Sequence, residues 1–384
     1  MIKLNDIYAK SIHYGGTTLL DHTRNVVTAI KLFAEKFDFD FDVNLAIKGA
    51  LLHDLGKIHP YFRHKISELN KASLYELRKI ETGTHRHEIS SLAFLPAFPK
   101  DEWNIIIDMV VGHHKSIQND ARLKGILDIA TNERDWMSYH LLEWEDWKHC
   151  GKELIESFGF SCPEISREDA IIALQYTKTY CSHKKTGWSP WRGLLMAADH
   201  FASAFNDKTE DQLRFLFQKP DLSYYFEDNR KSNLYPLSLV DTTDTRQHTI
   251  VVAPTGAGKT DFLLKRCKNR IFYTLPFQAS INAMWQRFKD TIPNKDIRLL
   301  HSTSEIVVKR EGGKDYVDEQ ILQPLAGSTV KVLTPHQLAA IVFGVKGFES
   351  VMLDVKGCDV ILDEIHTYSE FSQAMVLEII KALK

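Results

Sequence analysis

No stretch of the 384 residues approaches the roughly 18 consecutive apolar positions that a membrane-crossing helix needs, so no membrane association is expected. The opening Met-Ile-Lys-Leu-Asn-Asp lacks a basic region followed by a long apolar run, which argues against a secretory signal. Cysteine is scarce and scattered, at 150, 162, 181, 267 and 358, and never spaced Cys-x-x-Cys. That excludes a disulfide framework and a zinc ribbon, and predicts free thiols in a reducing cytoplasm. Charge of one sign is lacking too: the net charge is -2, so the whole chain is no magnet for polyanions, and any nucleic-acid contact must use local basic patches. Internal repeats and low-complexity tracts are absent. With 44% hydrophobic and 26% charged residues, the length suits two or three globular domains.

Histidine is the residue the chain has in quantity, and 13 of its 17 fall at or before position 200. They accompany a helical texture. Ile47, Ala50, Leu51 and Leu52 form an apolar stripe that should stop at Gly56, and Trp103, Ile106, Ile107 and Val110 form another ended by Gly112. Ser189-Pro190 reads as an N-cap followed by proline at the first helical position, opening a helix through Leu194 to Phe205. Ligand-type residues recur at the ends of such helices. They are His22 after Asp21, the pair His53-Asp54 with Lys57 beyond it, His87 between Arg86 and Glu88, the doublet His113-His114, and Asp199. One His-Asp pair alone reads best as a buried, satisfied histidine, but five such elements point to a dinuclear metal site. Imidazole and carboxylate ligands suit iron, manganese, nickel, cobalt or zinc. Two such cations promote in-line hydrolysis of a phosphodiester.

In that order these motifs resemble the HD-superfamily nuclease domain of the CRISPR-associated type I interference nuclease–helicases. The resemblance implies one metal held by His22, His53, Asp54 and Asp199. It implies a second held by Asp54, His87, His113 and His114, with Asp54 bridging. It also implies that Lys57 contacts phosphate or stabilises developing charge, and that Ser203, four residues after Asp199, lies near the substrate phosphate. His59, His64, His85, His140, His149, His183 and His200 read as surface or supporting groups.

Beyond residue 248 short apolar runs alternate with helical segments. Residues 249–252, 270–274, 297–300, 330–333 and 360–362 read as buried parallel strands of an α/β RecA-like lobe. Ala253-Pro-Thr-Gly-Ala-Gly-Lys-Thr260 is a phosphate-binding loop. Amides of Thr255, Gly256, Ala257 and Gly258 would curl around the phosphates, Lys259 would reach the β- and γ-phosphates, and the Thr260 hydroxyl would bind magnesium. Asp363-Glu-Ile-His366 has the Asp-Glu-x-His spelling of superfamily 2 helicases, with Asp363 as the magnesium ligand and Glu364 polarising the attacking water. Thr274–Gln278, His301–Thr303 and Leu333–Leu338 resemble segments with which such helicases touch a DNA backbone.

The expected organisation is therefore a helical metal nuclease domain at 1–206, a connector at 207–245 and a first RecA-like lobe at 246–384. The chain ends 21 residues after Asp363, whereas a translocating helicase needs a second lobe to close over the nucleotide. The expectation is a nuclease with an ATP-binding half-motor, poor in ATP turnover unless a separate chain supplies that lobe. Single-stranded DNA and a Cascade-type surveillance complex are the partners the resemblance implies. An HD phosphohydrolase acting on nucleotides, or a non-catalytic ATP-binding docking module, are the alternatives.

Overall fold

Helix starts in the first 205 residues are set by side chains that satisfy backbone amides left over at a first turn. Thr18 accepts from the Asp21 amide ahead of α1 (Leu19–Lys36), and Asp42 accepts from the Leu45 amide ahead of α2 (Val43–Leu52). Then come α3 (Pro60–Lys71), α4 (His87–Ser91), α5 (Trp103–Val111), α6 (Glu133–His140) and α7 (Trp144–Ser157). Ser166 and Asp169 form a reciprocal capping box at α8 (Arg167–His183). Ser189 caps α9 (Pro190–Phe205) with Pro190 at its first position, as the sequence predicts. A short α10 (Thr209–Leu213) follows. The computed structural model describes residues 2–72, 85–114, 133–184, 188–230, 234–293, 296–300, 325–345 and 347–384. His301–Thr303 lies outside the described residues.

These helices form a first compact unit, Met1–Arg214 with Phe343–Leu353, in which α1 packs against α2 and α9. Val26, Ile30 and Phe33 share the buried face of α1, and the Phe33 and Phe201 rings meet edge-on at 5.8 Å. One turn before Val26 on that same face is His22; Asp199 sits among Leu195, Ala198 and Ala202 on the buried face of α9.

The second unit, Phe215–Val342 with Asp354–Lys384, is built on a parallel sheet of order β2-β3-β1-β4. Its strands are β1 (Ile271–Thr274), β2 (Ile297–Leu300), β3 (Val330–Leu333) and β4 (Asp359–Leu362). Its helices are α11 (Lys259–Arg266), α12 (Gln278–Thr291), α13 (Pro335–Phe343) and α15 (Glu370–Leu383); α14 (Phe348–Val355), most of which belongs to the first unit, precedes β4 in the chain. The core gathers Tyr273, Ile281, Trp285, Phe288, Leu299 and Val332, and Tyr225 joins it with its hydroxyl 3.0 Å from Thr291 Oγ1. Helical segments alternating with parallel strands are the α/β class that the sequence predicts.

One expected strand is corrected. Residues 249–252 are irregular and outside the sheet, with Ile250 and Val252 exposed at 93% and 94%. A β-branched run makes a strand only where an edge and a half-buried face receive it, and this run has neither here.

Within the first unit, α9 makes a close approach to residues 348–352. A Cβ on Gly193 would fall 2.7–2.8 Å from the Glu349 backbone and Cβ, and Trp188 Nε1 lies 2.8 Å from Met352 Sδ. Arg192 and Glu349 form a fully buried ion pair. Removing one member of such a pair costs about 3–5 kcal/mol, because the other charge stays buried uncompensated. Arg192→Met is therefore expected to lower the denaturation midpoint strongly, and Arg192→Met/Glu349→Leu to recover much of the loss. A double variant no more stable than the single one would show that packing, not charge, holds this contact.

Candidate metal centre and phosphate loop

Six of the seven ligand-type residues sit where an element starts or stops; Asp199, expected near a helix end, stands inside α9. His22 occupies the first turn of α1, and His53 is the C-cap of α2, with Asp54 following at φ -113°, ψ 2°. The α-helix thus ends at Leu52 rather than at Gly56, and residues 55–58 form a 3-10 turn. The Gly56 amide donates to the Ser91 hydroxyl at 2.7 Å, and that hydroxyl lies 3.2 and 3.0 Å from the carbonyls of His53 and His87. Ser91 therefore ties the His-Asp turn to α4, whose first residue is His87. His113 and His114 follow the end of α5, and Asp199 comes from α9.

These seven side chains come together. Asp54, His87, His113 and His114 form one group with mutually close ligand atoms, and His22, His53 and Asp199 form a second. Asp54 faces both. Its Oδ1 lies 3.0 Å from His87 Nε2 and 4.0 Å from His113 Nε2; its Oδ2 lies 3.3 Å from His22 Nε2 and 3.4 Å from His53 Nε2. Asp199 Oδ1 is 3.2 Å from His22 Nε2 and 4.0 Å from His53 Nε2. Lys57 Nζ lies 2.6 Å from Asp54 Oδ2, and the Ser203 hydroxyl donates to Asp199 Oδ1 at 3.2 Å.

The donor set fits divalent cations on two counts. His53 Nδ1 and His113 Nδ1 are 2.6 and 2.7 Å from the carbonyls of Ala50 and Val110. That contact places the proton on Nδ1 and leaves the Nε2 lone pair aimed into the cluster. Further, Asp54 Oδ1, His87 Nε2 and His113 Nε2 are buried yet make no hydrogen bond among the described residues. Buried acceptors facing one another in this way call for positive charge between them.

The electrostatics keep the set ready to bind. Burial would push the Asp54 carboxyl up, but the charges of His53, protonated until a cation takes its Nε2, and of Lys57 outweigh it and hold it well below the ordinary value. Asp199 is likewise held low, burial being overcome by the hydrogen bond and charge of His22. Burial, helped by neighbouring imidazoles, pulls His113 well down and His114 to about 4, so both are neutral at neutral pH.

Two supporting features carried no sequence signal. Glu88 is buried beside His87, its Oε2 3.6 Å from His87 Nδ1 and its Oε1 2.8 Å from Arg86 Nε, which places a carboxylate next to the imidazole. His59, His85 and His140 form a buried cluster, not a surface set. The His59 and His85 rings stack at 4.2 Å, and the Ser90 hydroxyl lies 3.2 Å from His85 Nε2 and 2.8 Å from His140 Nδ1. His85, two residues from His87, points into this cluster and not at the metal centre.

Burial holds His59 at about 4, His85 at about 2 and His140 at about 3. As pH falls below about 6.5, the unfolded chain takes up protons that these folded imidazoles refuse, so stability present above that pH is lost progressively toward pH 4. Metal-free protein is expected to melt at steadily lower temperature across that window, and His140→Gln to flatten the slope. A melting temperature independent of pH there would contradict it.

In the second unit the phosphate loop runs into α11. Gly256 and Gly258 hold left-handed backbone at φ 82° and 87°, which a β-carbon would strain. Lys259 Nζ donates to the Ala253 carbonyl at 3.0 Å. Tyr273, which the sequence did not single out, links the two motifs: its hydroxyl donates to Asp363 Oδ2 at 2.6 Å and also hydrogen-bonds Thr260. Thr260 and Asp363 therefore converge at the carboxyl ends of β1 and β4. Glu364 follows in a left-handed conformation, φ 53°, with its amide on Asp363 Oδ1 at 2.8 Å.

A family model described as an HD domain matches residues 19–173, and one described as a DEAD/DEAH box helicase matches residues 237–384. The CRISPR-associated nuclease/helicase Cas3 of Methanothermobacter thermautotrophicus is 24% identical over 439 residues, which span 98% of this chain and 52% of that protein. The paired HD and DEAD/DEAH box domains, with this likeness, support a Cas3-type nuclease/helicase. A putative Cas3 from Methanocaldococcus jannaschii is 20% identical over 391 residues, 87% of this chain and 51% of the relative. Crystal structures of T. fusca Cas3 with ADP and with AMPPNP share the fold, with TM-scores of 0.57 and 0.56 at 16% and 14% identity, each covering all of this chain and 49% of theirs. The chain thus spans about half the length of the Cas3 proteins it matches. An HD domain implies divalent metals and a DEAD/DEAH helicase domain implies ATP; six of the seven side chains of the buried His/Asp cluster fall within the HD match, and Asp199 lies beyond it.

Proposed function

We propose that this chain hydrolyses phosphodiester bonds of single-stranded DNA at a two-metal centre, as the nuclease part of a Cas3-type effector in CRISPR type I antiviral interference. A Cascade-type surveillance complex would present the DNA. The observation that carries the reading is the position of Asp54, one carboxylate oxygen toward His87 and His113 and the other toward His22 and His53. In this reading His22, His53 and Asp199 hold one cation, His87, His113 and His114 hold the other, and Asp54 bridges; iron, manganese, nickel or cobalt suits that set. When bound, the pair would supply charge neutralisation at the phosphoryl group and activation of the attacking water. Lys57 places a positive charge where the phosphoryl oxygens develop negative charge, and the Ser203 hydroxyl orients Asp199 and the nearby phosphate.

The second unit would bind ATP. Amides of Thr255, Gly256, Ala257 and Gly258 would surround the phosphates and Lys259 would reach the terminal ones. Thr260 and Asp363 would share magnesium, with Glu364 positioned toward the attacking water. Cutting of already single-stranded DNA is assigned to the first unit alone and should need no ATP. Purified chain loaded with manganese or nickel is expected to degrade circular single-stranded DNA in the absence of nucleotide. Intact circles, with full metal occupancy verified, would overturn the nuclease reading; hydrolysis of nucleotides but not of DNA would favour a small-molecule phosphohydrolase.

A further inference from the structure

The segment before α1 folds back over the carboxyl end of α9. Tyr8 and Thr18 form an antiparallel bridge, and the amides of Ala9 and Lys10 both donate to the Thr17 carbonyl. The turn relies on Gly15 and Gly16 at φ 97° and 58°, and a β-carbon on Gly15 would lie 3.6 Å from Asn206 Nδ2. Asn206, just past α9, is itself left-handed at φ 47°, and its side-chain oxygen receives hydrogen bonds from Thr17 Oγ1 at 3.2 Å and Lys10 Nζ at 3.3 Å. Several contacts thus fix where Lys10 sits.

That place adjoins the metal centre. Lys10 Nζ donates to the Ser203 carbonyl at 2.7 Å, and the hydroxyl of that same Ser203 donates to Asp199. Burial pulls the Lys10 amine below the ordinary lysine value; the Asp199 and Asp54 carboxylates oppose this, and the Lys57 ammonium adds to it. The amine is therefore close enough to sense both carboxylates of the centre and its other lysine. An ammonium has three donors, and the two contacts above leave one. A lysine needed only to cap a helix end would do so at the surface; partial burial costs it hydration that a bound anion would restore.

We propose that Lys10 is a second phosphate-contacting cation of the nuclease site, paired with Lys57 across the metal centre and directed at a backbone phosphate of single-stranded DNA. This rests on the nuclease reading above. Its chemistry is positional: Lys10 would hold a strand phosphate by a charge-assisted hydrogen bond and leave bond cleavage to the centre itself.

Lys10→Gln and Lys10→Arg in the full chain test it, with a fluorescein-labelled oligothymidylate as probe. Lys10→Gln should raise KM about tenfold with kcat little changed, as loss of one charge-assisted contact does. It should also reduce the salt slope of oligothymidylate binding by about 0.7, one phosphate's worth for a single strand. Lys10→Arg should keep the wild-type slope. If Lys10 only caps α9, Lys10→Gln will melt earlier while KM and salt slope stay at wild-type values, and the inference falls. Metal-loaded wild type that binds oligothymidylate without cutting it overturns the nuclease reading, yet the salt slopes still decide Lys10; wild type that binds none overturns both.

Discussion

Asp54→Ala should abolish metal-dependent cutting of circular single-stranded DNA while Lys259→Ala leaves it intact. The asymmetry follows from where the two residues stand. Both Asp54 oxygens face imidazoles of different ligand groups, so one substitution would remove a ligand from each of the two proposed cations. Outer-sphere changes at metal sites typically cost 10–100-fold, and loss of a shared ligand should exceed that, with a drop in turnover of about a thousandfold or more. Metal content should fall with it, because the remaining imidazoles lose the negative charge that offsets two dications. Asp54→Asn is a useful companion, since it keeps the shape and one oxygen but removes the charge. Lys259, by contrast, bonds among the described residues only to its own loop's carbonyls in the second unit, and its loss should be felt in nucleotide binding alone. Equal loss of DNA cutting from Asp54→Ala and Lys259→Ala would mean that the two roles have been misassigned.

What the sequence could carry was the position of ligand-type residues at the ends of apolar helices. Each of His22, His53, His113 and Asp199 occupies a buried face whose periodicity is readable, and the cap residues Thr18, Asp42 and Ser189 mark where those faces begin. The parallel strands of the second unit are short, continuous apolar runs and were legible for the same reason. What stayed hidden depends on contacts between distant segments. Lys10 lies 193 residues from the Ser203 carbonyl it bonds, and Tyr273 lies 90 residues from Asp363. Glu88 was in plain view beside His87, but a carboxylate next to a histidine says nothing of which ring nitrogen it will face. The His59–His85–His140 cluster read only as surface or supporting groups, because nothing beside any one of the three in the sequence tells that they meet. Its burial comes from α6 and α7 packing over it, with Trp147 edge-on to His59. Residues 249–252 fail in the opposite sense: their local preference for a strand is strong, but strand formation needs a partner edge that local sequence does not supply.

Gly56→Ala should be nearly as damaging as loss of a ligand, though Gly56 binds nothing. The sequence suggests a helix stop at this glycine, but the helix has already ended four residues earlier, and its backbone is not in the left-handed region. Glycine is required here by proximity. A β-carbon at this position would sit 1.9 Å from the His87 carbonyl oxygen, 2.7 Å from its carbon and 2.9 Å from its Cα. All three are backbone atoms of α4, so no side chain can rotate out of the way, and the His-Asp turn must part from α4. That parting separates Asp54 from His87, which are now 3.0 Å apart, and loosens the Ser91 hydroxyl from the Gly56 amide. Forcing atoms into packed space costs about 1–3 kcal/mol where neighbours can yield, and more where they are backbone. A shift of about 1 Å between reacting groups can cost on the order of a hundredfold in rate. Gly56→Ala is therefore expected to lower stability by a few kcal/mol on that same scale, and to lose the cation held by His87, His113 and His114 before the one held by His22, His53 and Asp199. Ser91→Ala separates the two causes, since it removes the hydroxyl without adding bulk. It should cost about 1–3 kcal/mol through an unsatisfied buried amide while keeping both metals and most of the turnover. Gly56→Ala protein that holds two metals per chain and cuts DNA at the wild-type rate would show that the turn can move off α4 without moving Asp54, and the account of this glycine would be wrong.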